Sequence, residues 1–193
     1  MLTLYFAPGS SSMAPHIALH ETGLAFEPRP VSFKKKEQLL PEFLALNPAG
    51  KVPLLLVDGR PLTEVAGILY FVAKAAPAAD LWPEGDLEAE AQVMSWMSFI
   101  ASTLHPARVQ GPDHVARVYG FADRRMGARD WAAGRYSIAD IHLFRLFWRM
   151  RNSLGPKVGQ FPALERHYER MMARPAVQRT IAAETAIGYE LPG

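Results

Sequence analysis

The most informative absence in this sequence is cysteine, which does not occur once in 193 residues. A chain without cysteine forms no disulfide, offers no thiolate to a metal and has no thiol nucleophile of its own. The sequence therefore excludes disulfide-stabilised secreted folds, cysteine-ligated metal sites and enzymes that attack through their own sulfur.

The sequence also lacks a strong charge of one sign and any long apolar run. Lys and Arg total 21 against 19 Asp and Glu, which gives a formal net charge of +2, and this balance does not indicate nucleic-acid binding. No apolar segment approaches the ~20 residues that span a bilayer, and the first residues do not resemble a secretory signal. We expect a cytoplasmic protein with neither a nucleic-acid partner nor a membrane partner.

Strand and helix signals alternate in the first part of the chain. "LTLYFAP" predicts a buried strand, and a helical spacing of apolar residues follows it as far as Gly23, which serves as the C-cap. "KVPLLLVDGRPLTE" predicts a hairpin around Asp58-Gly59. With the segments between them, the order β, α, β, α, β, β, α predicts a small α/β domain over residues 1–77.

Strand signals are absent beyond "AAPAADLWPEGD". This segment, rich in Ala and Pro, predicts a linker at residues 78–86, and the apolar spacing after it predicts an all-helical domain over residues 87–193. "SIADIHLF" carries a helix-start signal, because Ser137 and Asp140 have the spacing of a capping box.

A βαβαββα unit with Val-Pro before its hairpin, a linker and a helical half containing a capping box together resemble the cytosolic glutathione transferases. "SSSMAPHIALHETGL" and "STLHPA" are most similar to the bacterial Beta-type enzymes. The resemblance implies a thioredoxin-like N-terminal domain and a C-terminal helical bundle. It also implies a cytoplasmic homodimer with a detoxification role, which joins glutathione, its co-substrate, to a small hydrophobic electrophile without a metal.

The resemblance assigns glutathione contacts to two motifs of the first domain. At Val52 and Pro53 the family has a cis-proline turn, whose outward-facing main chain pairs with the ligand as with an added strand. Glu64 is implied to accept from the ligand's α-ammonium group at a helix N-terminus that suits the γ-glutamyl carboxylate. Val65 departs from the family pattern, because relatives place a serine or asparagine there and valine has no hydroxyl or amide.

Further candidates come from the same resemblance. Lys35 or Lys36 is implied to bind the glycine carboxylate of glutathione, although a solvated charge run is the simpler interpretation. His105 is implied to lie near the electrophile and the sulfur, where an imidazole can accept a proton. Ser98 and Ser102 are candidates for the face that borders a partner subunit.

The serines of "PGSSSMAPHIAL" are the candidate thiolate donors. Ser11 stands where the Beta-type enzymes carry a cysteine, and Ser12 follows it at the predicted helix start. We expect Ser10 to belong to the turn and Ser12 to be the better-placed donor to the sulfur, with Ser11 and Tyr5 as alternatives. A serine near a helix start can also act only as an N-cap.

Two other functional classes stay open on the sequence alone. One is a non-enzymatic protein that uses the same fold to bind a ligand or a protein, favoured by Val65 and by the short segment between His105 and Ser137. The other is a glutathione-dependent peroxidase or isomerase. His16 and His20 have metal-ligand spacing, but without a third ligand we expect His16 to be a helix-packing residue and predict no metal site.

Overall fold

The computed structural model describes residues 1–190, and their contacts divide the chain into two compact units. The first unit joins Met1–Ala79 with the chain from Pro175 onward, and the second is Asp80–Arg174. Within the described residues no helix is long and apolar enough to cross a bilayer.

The first unit is built on one four-stranded sheet with the strand order β2-β1-β3-β4. Its strands are β1 (Leu2–Phe6), β2 (Phe26–Pro30), β3 (Leu54–Val57) and β4 (Arg60–Thr63). β1 pairs with β2 in parallel and with β3 antiparallel, and β3 pairs antiparallel with β4. The α-helices of the described residues are α1 (Met13–Thr22), α2 (Pro41–Leu46), α3 (Val65–Ala75), α4 (Leu87–Phe99), α5 (Pro112–Met126), α6 (Ile138–Leu154), α7 (Pro162–Met172) and α8 (Pro175–Ile187).

Local sequence signals set the boundaries of these elements. Gly23 ends α1 in the left-handed region at φ 68°, with its N–H donating to the Leu19 carbonyl, so the predicted C-cap is confirmed. Asp58 and Gly59 both have positive φ, 50° and 79°, which is the backbone of a tight hairpin turn that matches strand twist. The predicted order of strands and helices in this domain is therefore confirmed.

The last helix, α8, differs from the predicted domain boundary. The sequence pattern assigned all of residues 87–193 to the helical domain, whereas α8 packs against α1 in the first unit. Its fully buried Glu184 explains the difference, because this carboxylate hydrogen-bonds the His16 ring of α1 at 2.9 Å. The second unit therefore contains α4 to α7.

The second unit is organised around the start of α6. Ser137 and Asp140 form a capping box, in which the Ser137 N–H donates to Asp140 Oδ2 at 2.9 Å. Asp140 is fully buried, and its Oδ1 also accepts from the Ala132 N–H at 2.7 Å and hydrogen-bonds His167 Nε2 at 3.1 Å. One carboxylate thus joins the first turn of α6 to the preceding loop and to α7.

We expect Asp140→Ala to lower the free energy of unfolding by about 3–5 kcal/mol, because it leaves several buried donors without an acceptor. Asp130→Ala is the matched control, since Asp130 forms an exposed ion pair with Arg170 at 2.6 Å, and its removal should cost less than about 1 kcal/mol. Urea unfolding of both variants measures the difference. Equal losses would contradict the central role of Asp140.

Candidate glutathione site

The sheet brings four predicted site segments to the same end of its strands. Tyr5 of β1 pairs with Leu54 of β3, Leu54 pairs with Thr63 of β4, and Phe6 pairs with Pro30 of β2. The serine turn after β1, the lysine loop after β2, the Val52-Pro53 segment before β3 and the helix start after β4 therefore lie at the same end of the sheet. Segments that are distant in the sequence thus share one surface because of strand pairing, as the pair Tyr5 and Leu54 shows.

The serine turn contains one partly exposed hydroxyl and two buried ones. Ser12 has no exposed surface, and its Oγ accepts from the Ala7 N–H at 3.0 Å and lies 3.1 Å from the Ala7 carbonyl oxygen. Its Oγ is also 2.6 Å from the Ser10 Oγ, and Ser10 is itself buried. These contacts use the single proton of the Ser12 hydroxyl inside the turn.

Of the two candidate thiolate donors, Ser11 is therefore the more accessible and Ser12 the buried one. Ser11 is partly exposed, and its Oγ donates to the Val52 carbonyl at 3.2 Å, so the structure brings two of the predicted site residues together. Ser12 closes the turn instead, although its hydroxyl makes no capping bond to α1. Ser10 belongs to the turn, since its N–H donates to the Ala7 carbonyl at 3.0 Å.

The alternative donor Tyr5 is partly buried and packs against the core. Its ring packs edge-on against Phe43 with 5.7 Å between ring centroids. It borders the buried cluster on one side of the sheet, which contains Ala7, Val31, Phe43, Val52 and Leu54.

The Val52-Pro53 peptide bond is cis, as the family resemblance implied. Both residues are buried. The Val52 carbonyl oxygen accepts a hydrogen bond from Ser11 and has a second lone pair that can accept another.

Glu64 and Val65 form the junction between β4 and α3. Glu64 is exposed and has φ 66° and ψ 129°, a strained conformation for a residue with a side chain, which concentrates at functional sites. The Ile68 N–H donates to the Glu64 carbonyl at 3.0 Å, so the N–H groups before Ile68 precede the first helical bond. No side chain within residues 1–190 caps this helix, and its N-terminus is therefore suited to an anionic group.

The lysine loop follows β2 as Ser32–Lys36. Lys35 and Lys36 are exposed, and Lys36 lies in the left-handed region at φ 55°.

The contact of Glu184 with the serine turn was not predicted from the sequence. Glu184 Oε2 accepts from the Gly9 N–H at 2.6 Å, while its Oε1 contacts His16 Nδ1 at 2.9 Å. The His16 ring also packs against Phe6 with 4.7 Å between ring centroids. His16 is thus a buried packing residue, as expected, and the described residues contain no group of three ligands that could hold a metal. No local pattern signals a contact between positions 168 residues apart.

In the second unit, α4 changes geometry immediately before His105. The helix widens to a π-helix over Ile100–Leu104, and the His105 N–H donates to the Ile100 carbonyl at 2.8 Å. Such π-helical segments occur frequently at functional sites. Ser98 and Ser102 are both exposed, as a contact face requires.

Comparison with known proteins identifies the family. The N-terminal domain model of glutathione S-transferase matches residues 1–74, and the C-terminal domain model matches residues 91–175. A glutathione S-transferase of Xanthomonas campestris is 33% identical over 204 residues, covering 95% of this chain and 98% of the relative.

Solved structures agree with these matches. A sphingomonad glutathione S-transferase complexed with glutathione has a TM-score of 0.85 and 34% identity, covering 95% of this chain and 98% of its own. The beta class glutathione S-transferase of Sphingomonas chungbukensis has a TM-score of 0.84 and 34% identity, covering 94% and 98%. The chain belongs to the glutathione S-transferase family. The predicted fold and the predicted enzyme class, glutathione transferase, are confirmed.

His142 in α6 generates a pH-dependent prediction. Both of its ring nitrogens are buried without a hydrogen-bond partner within residues 1–190. Burial, then the nearby charges of His105 and Arg145, lower its pKa from 6.5 to about 3. Between those values the unfolded chain binds a proton that the folded chain does not, so stability falls as pH falls.

We expect His142→Phe to flatten the stability profile below pH 6.5. The slope lost is up to about 1.4 kcal/mol per pH unit, and it is measured by urea unfolding at pH 7, 6 and 5. The pKa of His20 is also lowered, to about 4. Because His20 is present in both proteins, its contribution cancels when their stability profiles are compared. Parallel profiles would show that His142 does not carry this acid sensitivity.

Proposed function

We propose that this glutathione transferase stabilises the thiolate of bound glutathione with the Ser11 hydroxyl, for attack on a small hydrophobic electrophile. The position of Ser11 supports the proposal most directly, because the residue is partly exposed and its Oγ lies 3.2 Å from the Val52 carbonyl oxygen. Rotation about one bond would let it donate to a sulfur in place of that carbonyl. A donor aimed at developing negative charge is the usual means of lowering a thiol pKa.

The other proposed contacts with glutathione involve residues at the same end of the sheet. Glutathione is an extended peptide, and we propose that its main chain pairs with that of Val52, next to cis Pro53. Its γ-glutamyl carboxylate would lie at the N-terminus of α3, with Glu64 accepting from the α-ammonium group. The glycine carboxylate would be bound by Lys35 or Lys36. His105 remains the candidate proton acceptor on family resemblance alone.

Because the chain has no cysteine, the proposed reaction is conjugation and not thiol–disulfide exchange. A disulfide-bond oxidoreductase of Escherichia coli is 26% identical over 94% of this chain, but a serine hydroxyl cannot form a mixed disulfide with glutathione. Thiolate stabilisation needs only a donor, which serine supplies. Conjugation therefore fits the residues better than thiol exchange.

We also propose a homodimer, with Ser98 and Ser102 at the contact face. The exposed face of α4 that carries Ser98 also carries Met94, whose exposed fraction is 52%. Cytoplasmic location is proposed on the same family resemblance.

We expect Ser11→Ala to lower kcat at saturating glutathione about tenfold to a hundredfold, because it removes one hydrogen bond to a charged sulfur. Ser12→Ala is the matched variant one residue away: it should lower thermal stability while the folded protein keeps most of its kcat. Steady-state kinetics with a model aryl halide, alongside thermal unfolding, separate the two roles. The opposite pattern, with kcat lost only in Ser12→Ala, would return the donor role to Ser12.

The missing hydroxyl at Val65 gives a second test. Val65→Ser restores a potential hydrogen bond to the γ-glutamyl carboxylate, and we expect the Kd of glutathione to fall about tenfold or more, since bonds to charged groups contribute about 1.5–3 kcal/mol. Val65→Ala, which shortens the side chain without adding a hydroxyl, should leave Kd unchanged. Calorimetry measures both, and equal effects of the two variants would contradict the proposed position of the carboxylate.

A further inference from the structure

The Ser32–Lys36 loop binds a carboxylate from a distant part of the same unit. Glu190, which follows α8, accepts from the Ser32 hydroxyl, with 3.1 Å and 2.9 Å to its two oxygens, and from the Lys34 N–H at 3.0 Å. The backbone bond from Lys34 and then the Ser32 bond lower the pKa of Glu190. Glu190 is therefore held in its charged form, as a fixed acceptor for this loop.

Glu37 also forms hydrogen bonds with this loop. The Ser32 N–H donates to Glu37 Oε2 at 2.8 Å, and the Glu37 N–H donates back to the Ser32 carbonyl at 3.1 Å. The Lys35 N–H donates to the Ser32 Oγ at 3.2 Å, which in turn donates to Glu190. Two carboxylates thus fix the backbone around Ser32 and set the direction in which the next residues leave it.

These contacts involve the loop backbone and the Ser32 hydroxyl and do not involve the ammonium groups of Lys35 and Lys36. The ammonium groups of Lys35 and Lys36 are exposed and form no ion pair with another residue in the described part of the chain. Lys36 has the left-handed backbone φ of 55°, which surrounding contacts must maintain. Glu190 therefore shapes the loop without occupying the two cations that an external carboxylate would need.

We propose that Glu190 is a positioning residue for glutathione, which fixes the Ser32–Lys36 loop so that Lys35 and Lys36 are presented to the glycine carboxylate. This inference rests on the proposed function. A loop already ordered before binding loses less conformational entropy when the ligand arrives, and affinity rises accordingly. Glu190 acts on the glycine end of the ligand only, and the chemistry at the sulfur does not depend on it.

The test compares glutathione with γ-glutamylcysteine, which has the same γ-glutamyl and cysteinyl parts but no glycine. We expect Glu190→Ala to raise the Kd of glutathione about threefold to tenfold, and that of γ-glutamylcysteine less than about twofold. The kcat at saturating glutathione should stay at the wild-type value. Glu42→Ala, which removes the same charge from an exposed position of α2, is the control and should leave both Kd values unchanged.

Hydrogen exchange measures how firmly the Ser32–Lys36 loop is held in the absence of any ligand. The Lys34 amide donates to Glu190, so its exchange should be faster in Glu190→Ala than in the wild type, and equal rates would overturn the inference. Equal weakening of both peptides, or tighter binding of glutathione, would overturn it as well. If the wild type binds neither peptide, the proposed function fails; if it binds both and Glu190→Ala matches it, only the role of Glu190 fails.

Discussion

The buried carboxylate of Glu184 is the constraint on which the proposed site depends. It accepts from the Gly9 N–H at 2.6 Å and contacts His16 Nδ1 at 2.9 Å, and so joins α8 to both the serine turn and α1. Because a buried carboxylate without its donors is strongly destabilising, this arrangement admits little movement. The turn that carries Ser11 is therefore held by a helix from the far end of the described chain.

Within that turn the three serines have separate tasks. Ser10 and Ser12 satisfy each other and the main chain of Ala7 in the interior, while Ser11 keeps a partly exposed hydroxyl beside Val52. Under the proposed function, this division leaves Ser11 as the hydroxyl that a chain without cysteine would present to the sulfur of glutathione. The reactive thiol belongs to the co-substrate, and the protein needs only to supply hydrogen bonds to it.

Features encoded within a few residues were predictable from the sequence. The Gly23 cap, the Asp58-Gly59 turn and the Ser137–Asp140 spacing each depend on local chemistry, and together with the family resemblance they indicated the fold. Features that depend on distant partners were not predictable.

These distant contacts surround the candidate site residues. No pattern indicates that Ser12 is buried, that Glu184 returns to the serine turn, or that Glu190 reaches the loop after β2. The π-helix over Ile100–Leu104, just before His105, was likewise not predicted from the sequence. The proposed donor is consequently Ser11 and not Ser12.

The thiol pKa of bound glutathione tests the central claim most directly. It is measured from the ultraviolet absorbance of the thiolate as the pH of the enzyme–glutathione complex is varied. The account predicts a pKa below that of free glutathione in the wild type, a rise toward the free value in Ser11→Ala, and little change in Ser12→Ala. A wild-type value equal to that of free glutathione, or one that Ser11→Ala leaves lowered, would contradict it.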